Sequence, residues 1–439
     1  MRIRTVLFCF AGLVVVLLVA FILACRDIPP PDISDLAVVR PELAPEENAY
    51  TYYLAATNEL NGLLESKDVL RNYLAEEEVD EQALSDLIEQ NAAAWEWIRK
   101  GNACARCITL EVKDFSTTLP FVGPWLEMGR LLAAKTRHDR LAGRYDEAAN
   151  TCITQFQFAD RILADADSII IYLIGIRILD MGLVQAEELF RDTETSPEER
   201  ERLADALNAL GSVESGLVRA LKGEFRYAEN SMDRLVDGRM DLYDMFFLGV
   251  GKPYPWLKGM PLPAYFFQPN RTKRDLACFY REAIANAHRL YKDMEWCDSE
   301  ESRKKETGRP FYFYKPNSVG RTLNLLIVPV CQKLIERKYE IECGVNGARL
   351  MAACRAYRER EGRLPDRLQD LVPDYLPSIP VDPYDGSPFR YAREPGVVYS
   401  VGKDLLDSGG SSVVPEGVSL TGLSSERWKT EDLVFPIGP

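Results

Sequence analysis

Histidine is almost missing from this chain: His138 and His288 are the only two in 439 residues. Multi-histidine metal sites are thereby excluded, and acid–base chemistry that depends on histidine has little to work with. An excess of positive charge is also missing. Lys and Arg total 53 against 67 Asp and Glu, a formal net of −14. Nucleic-acid partners are not expected, because such binders carry a basic domain or stripe. Apolar runs of membrane length are scarce, which argues against a polytopic membrane protein. No Ser/His/Asp order, P-loop or dinucleotide glycine fingerprint occurs. What remains is ordinary globular composition, 46% hydrophobic and 27% charged, in a chain long enough for about two to three domains.

The one long uncharged run is Val6 to Ala24, nineteen residues behind Arg2 and Arg4. As a helix it measures about 28 Å, close to a bilayer's hydrocarbon thickness. The positive-inside bias puts the N-terminus in the cytoplasm and the body outside. The expected arrangement is a single-pass anchor in a bacterial cytoplasmic membrane, with residues 6–24 as the membrane contact. Ile22-Leu-Ala-Cys25 supplies a competitor, a lipoprotein box in which Cys25 becomes lipidated. A signal segment cleaved on export is disfavoured by the length of the run. Asp27-Ile-Pro-Pro-Pro-Asp32 cannot continue the helix and reads as a stiff spacer over residues 26–45.

From about 46 to 362 the apolar period is helical, with eight to ten helices expected and no strand series. Asp80 is a candidate N-cap. Ser196-Pro-Glu-Glu199 has the form of a capping box with proline in the first turn. Ser168 to Leu189 is strongly apolar, but Arg177 and Asp180 interrupt it, so a central core helix with those two paired is expected. Ala142-Gly-Arg-Tyr-Asp-Glu-Ala148 resembles the turn of a tetratricopeptide helix pair, and Lys222-Gly-Glu-Phe-Arg-Tyr-Ala228 repeats its Gly-x-aromatic-x-x-Ala spacing. The 34-residue period is absent. The expected fold is therefore mainly α, an irregular, tetratricopeptide-like array of helical hairpins over 46–345.

Between Tyr243 and Asn270 aromatics and prolines crowd together. They are expected to plug the core from a long connection, with a binding or membrane-contacting surface as the alternative. Cys297 to Pro310 reads as a solvated loop. Cys104-Ala-Arg-Cys107 lacks the second ligand pair of a zinc site and the strand-to-helix setting of a redox pair. Most of the ten cysteines lie in helical patterns and are expected to be small buried apolar groups, although an exported chain permits disulfides. Glu46-Glu47 and Glu76 to Glu78 read as helix-start or solvated charges.

After Gly362, a candidate helix stop, the composition shifts to Pro, Asp and Gly. Leu368, Leu371 and Val372 predict a helical turn. Phe389–Tyr391, Val397–Val401 and Leu433–Phe435 predict short strands. This end, from Ala356-Tyr-Arg-Glu-Arg-Glu-Gly362 through Ile379-Pro-Val-Asp-Pro-Tyr-Asp-Gly386 to Val398-Tyr-Ser-Val-Gly-Lys-Asp404, resembles the globular part of the major pseudopilin of type II secretion over about 347–437. The resemblance implies a small α+β domain, 346–439, in which a helix packs on an antiparallel sheet and the last loop binds calcium. Asp404 and Asp407 are the ligands it points to here. Leu405 and Leu406 stand where the family loop has glycine and polar residues, so calcium is expected to bind weakly or not at all. The chain as a whole resembles a group of bacterial envelope proteins with an N-terminal anchor, a helical middle, an Asn317-Ser-Val-Gly-Arg321-like stretch and this C-terminal end. That likeness carries architecture and no activity.

No nucleophile, base and oxyanion set can be assembled from these residues, so no catalytic residue and no cofactor is assigned. The function expected is a membrane-tethered, extracytoplasmic helical scaffold for protein or peptide partners. The alternative is an exported hydrolase with paired carboxylates in a pocket of the helical domain, beneath the 243–270 loop.

Overall fold

The computed structural model describes residues 2–63, 65–114, 117–238, 264–296, 315–414 and 426–438. The protein is mainly helical: twelve helices take up 63% of it, beside one small three-stranded antiparallel sheet. The helices are α1 (Arg2–Cys25), α2 (Ala49–Asn58), α3 (Lys67–Leu74), α4 (Glu81–Gln90), α5 (Ala92–Asn102), α6 (Val122–Leu141), α7 (Tyr145–Asp165), α8 (Ile169–Arg191), α9 (Pro197–Asn208), α10 (Val213–Val236), α11 (Pro269–Ala287) and α12 (Ser318–Glu361). The strands are β1 (Arg390–Ala392), β2 (Val397–Ser400) and β3 (Leu433–Pro436), in that spatial order. Eleven helices thus follow the first among the described residues, more than the eight to ten expected. Short α3, α4 and α5 are separate pieces.

Local sequence explains the helix starts. Asp80 accepts hydrogen bonds from the backbone N–H groups of Gln82 and Ala83. Ser196 and Glu199 close a reciprocal capping box, with Pro197 opening α9. Helix α8 is long and apolar enough to cross a membrane, yet 72% of its most apolar window is buried inside the protein. Arg177 and Asp180 pair on it at 2.7 Å. Around α8 lie α6, α7, α10 and α12. Trp125, Tyr53, Phe158 and Phe121 form a fully buried aromatic cluster where α2 and the start of α6 meet α7.

The Ala142–Ala148 stretch is a helix-to-helix turn: Gly143 takes φ 76° between α6 and α7. Its apparent repeat at Lys222–Ala228 is not. That stretch lies inside α10 without a break. A Cβ on Gly223 would collide with the backbone carbonyl of Asp167, so this glycine lets two backbones touch rather than turning the chain. The spacing of glycine, aromatic and alanine suits both uses, because all three positions also face a neighbour in a straight helix.

Helix α12 runs through residues 345–346 unbroken, so the helical region and the C-terminal region share it. Gly362, at φ 71°, stops it. A 3-10 turn at Leu368–Leu371 follows. In the sheet Tyr399 faces Arg390 on one side and Val434 on the other. Phe435 of β3 lies over Gly347 of α12, which brings the sheet against the helix.

Residues 26–45 do not stand off as a spacer. Leu36 is buried, Arg281 binds Asp35 and the carbonyl of Asp32, and Arg219 donates to the carbonyl of Val39. Arg40 pairs with Asp167. A proline-rich strip makes few hydrogen bonds of its own, so its carbonyls and carboxylates are free to receive donors from the body. Of the aromatic stretch 243–270, residues 243–263 lie outside the described residues, as does the charged stretch 297–310.

Candidate functional site

Three helices and the C-terminal region enclose a polar cleft of about 460 Å³. Ser212 caps α10 by accepting from the Ser215 N–H, which sets Glu214 in the first turn. His288 is the C-cap residue of α11. Helix α12 supplies Lys338, Glu342 and Arg349, and Pro383 closes the far wall. Offsets of four and seven place those three side chains on one helical face.

The charges are tightly arranged. His288 Nδ1 lies 2.7 Å from Glu214 Oε1. Lys338 Nζ lies 3.0 Å from Glu342 Oε2 and 3.7 Å from Glu214 Oε2. Lys338 is 4% exposed and packs over the ring of Tyr339. Burial raises the Glu342 carboxyl above its ordinary value, against the opposing pull of Lys338. The Tyr339 hydroxyl sits within 3.0 and 2.8 Å of the carbonyls of Asn286 and Arg289, holding the α11 terminus against α12.

A second hollow of about 640 Å³ runs beside the first, between α9, α12 and the 374–376 turn. Ala352, Ala353 and Ala356 floor it, and Glu201 and Asp205 of α9 stand on its wall. Arg349 lines both hollows. Its Nη2 donates to the carbonyl of Leu207, 2.8 Å away, near the end of α9. A third, mostly apolar hollow of about 190 Å³ lies among Leu126, Leu173, Ile176 and Trp428, its charged rim already paired as Arg177–Asp180 and Arg337–Glu340.

The N-terminal helix carries ten large apolar side chains between Leu13 and Leu23, each 40–63% exposed. Its end is clamped to the body. Phe21 stacks on Tyr265 at 5.5 Å, and Gln268 Nε2 donates to the carbonyl of Ala24 at 2.6 Å. The Asp27 carboxylate accepts the N–H groups of Asn270 and Arg271, capping α11, whose N-cap residue Gln268 makes no side-chain bond to the helix's first turn. Cys25, half-buried, lies within this clamp.

Asp404 and Asp407 do not form a ligand pair. Asp404 accepts from the N–H of Leu406 in its own loop. Asp407 accepts from Arg390 Nε at 3.0 Å, the Tyr399 hydroxyl at 3.1 Å and the Gly409 N–H at 3.0 Å. Arg390 reaches Asp385 and Asp382 as well. Asp407 is committed to a guanidinium, a hydroxyl and a backbone N–H, and Asp404 gives one oxygen to backbone, so this pair falls short of the roughly six to eight oxygens calcium takes. Among the described residues no group of three or more His, Cys, Asp or Glu side chains is placed to hold a metal.

Cys104 and Cys107 sit apart in role. The Cys104 thiol approaches the carbonyls of Glu46 and Lys100. Cys107 is buried, and burial raises its thiol well above the ordinary value, opposite to what a reactive thiolate needs. Cys152, Cys331, Cys343 and Cys354 are buried too. His138 lies near the end of α6, away from the cleft.

Sequence reading missed Glu214, Lys338, Glu342 and Arg349. Glu214 reads as a helix-start charge on α10, and the other three read as an ordinary solvated face of α12. Only Arg349, set among Gly347, Ala348, Met351 and Ala352, carries a signal: a charge inside a small-residue, buried stretch. Compared with family models, curated proteins and solved structures, the chain matches none.

Proposed function

We propose that the protein is a membrane-tethered, extracytoplasmic helical scaffold that seats a protein or peptide segment along α12. The observation that carries this is the pair of adjoining hollows, about 460 and 640 Å³, that meet at Arg349. An extended chain segment passing Arg349 could occupy both, whereas a compact small molecule would fill only one. The exposed apolar face of α1 behind Arg2 and Arg4 supports single-pass anchoring in a bacterial cytoplasmic membrane. Lipidation of Cys25 is the alternative anchor, and loss of lipid labelling in Cys25→Ser would select it. The Gly143 hairpin supports tetratricopeptide likeness, and α12 packed on the small sheet supports pseudopilin likeness.

Crosslinking in native membranes, followed by affinity recovery, tests the scaffold. A reproducible partner crosslinked through α9 or α12 is expected; recovery of none overturns the reading. Protease added to spheroplasts should digest the body, and protection of residues 50–439 would reverse the topology.

A second reading rests on one observation, two carboxylates sharing Lys338 in the cleft, with that of Glu342 raised by burial. Such a pair has the makings of a general acid beside a base, which keeps an exported hydrolase in play. Turnover in a hydrolase screen, abolished by Glu342→Gln with folding intact, would favour it.

A further inference from the structure

We infer that Arg349 is the receptor for a single carboxylate carried by a peptide segment, with neutral or basic residues lying toward α9. This rests on the scaffold reading and names the chemistry of its partner.

The charge accounting in the hollows singles Arg349 out. Each neighbouring cation has a carboxylate: Lys338 has Glu342 and Glu214, Arg200 has Glu359, Arg289 has Glu295, and Arg360 has Asp374. Arg349 pairs with no carboxylate among the described residues. Its one hydrogen-bond acceptor is the Leu207 carbonyl, and its Nε–H is buried without an acceptor. Burial depresses the guanidinium's pKa with no opposing contribution from an acid. An uncompensated, partly buried guanidinium is costly, and an entering anion recovers that cost. With Nε buried and one Nη2 proton on the Leu207 carbonyl, Nη1 and the other Nη2 proton are the donors left to grip a carboxylate.

The surroundings limit the rest of the ligand. Glu201 and Asp205, four apart on exposed turns of α9, stand on the wall of the larger hollow and make no ion pair among the described residues. A polyacidic segment would be repelled there, whereas a lysine or arginine would be drawn in. Ala352, Ala353 and Ala356 let a backbone approach closely. The ligand these features describe is a chain end or a lone acidic side chain, followed by basic or neutral residues.

The probe is a fluorescein-labelled peptide, Lys-Ala-Ala-Lys-Ala-Ala, read by polarisation against the full-length protein in detergent. The free C-terminal acid should bind at least tenfold tighter than the C-terminal amide. An amidated peptide ending in Glu separates the two sources of a carboxylate: recovery of binding means a side chain suffices, and no recovery means the chain terminus is required. Arg349→Gln should level acid and amide, and Arg349→Lys should retain part of the difference. Because Arg349 also ties α12 to α9, thermal melting of both variants must match the parent, and Arg349→Lys carries the test if Arg349→Gln is unstable. Equal binding of acid and amide, no binding up to millimolar peptide, or a preference unchanged in both variants overturns the inference. Native-membrane crosslinking that still recovers a partner in those cases leaves the scaffold standing; recovery of none removes the scaffold as well.

Discussion

The centre of the helical body and the C-terminal region solve the same problem by opposite means. Around α8 the backbone satisfies itself within long helices, and what holds the helices together is apolar contact: Trp125, Phe156, Phe158, Tyr172 and Phe190 are all fully buried. The C-terminal region has three short strands and many turns, so its backbone amides need outside acceptors. Aspartates supply them. Asp382 accepts from the N–H groups of Tyr384 and Val401 and from the Ser400 hydroxyl. Asp432 accepts from Ser408, Gly410 and Ser411. Where regular structure is long, packing decides stability. Where it is short, a few buried carboxylates do.

Substitutions should separate the two. Trp125→Ala removes a fully buried indole and should cost about 3–5 kcal/mol, seen as a fall in global melting temperature. Asp382→Ala strands several buried donors and should cost about 2–3 kcal/mol. Hydrogen exchange should show that loss confined to 380–402, with α6–α8 still protected; a uniform loss would mean the regions unfold as one.

Glu224 gives a pH handle on the helical side. Burial pushes its carboxyl up to about 7, against a hydrogen bond from the Ile169 N–H. A folded-state value above the unfolded one means full stability at low pH and progressive loss as pH rises from about 4.5 to 7. Glu224→Gln should flatten that slope and recover on the order of 2 kcal/mol at pH 8. An unchanged pH profile by chemical denaturation would refute this. The smallest effect belongs to Asp407. Burial opposes its ionisation, but bonds from Gly409, Tyr399 and Arg390 hold its carboxyl below the ordinary range. It is half exposed, so Asp407→Asn should cost less than about 1 kcal/mol, and added calcium should not move the melting temperature of either form.

Much of this was legible in residues. Caps at Asp80 and Ser196, the stop at Gly362, the three strands and the Arg177–Asp180 pair follow from local rules that tertiary context leaves alone. Gly223 was misleading because a helix interior uses the same small residue that a turn uses. The docking of residues 26–45 was hidden because it depends on Arg219 and Arg281, which are about 180–250 residues away in sequence. The cleft was hidden for a related reason. Glu214, His288 and Lys338 come from three helices, and nothing in any one of them signals the meeting.

One helix joins the places where the protein would be held and where it would be used. The backbone N–H groups of Asn317 and Val319, where α12 begins, bond to the carbonyls of Tyr265 and Phe266, beside Phe21. Its far end carries the sheet. At 44 residues it spans about 66 Å. Such a rod acts as a gauge: under the tethered reading, a single tilt angle sets how far from the lipid the hollows and the sheet are presented. Because α8, α9 and α11 pack along it, the rod and the body tilt as one.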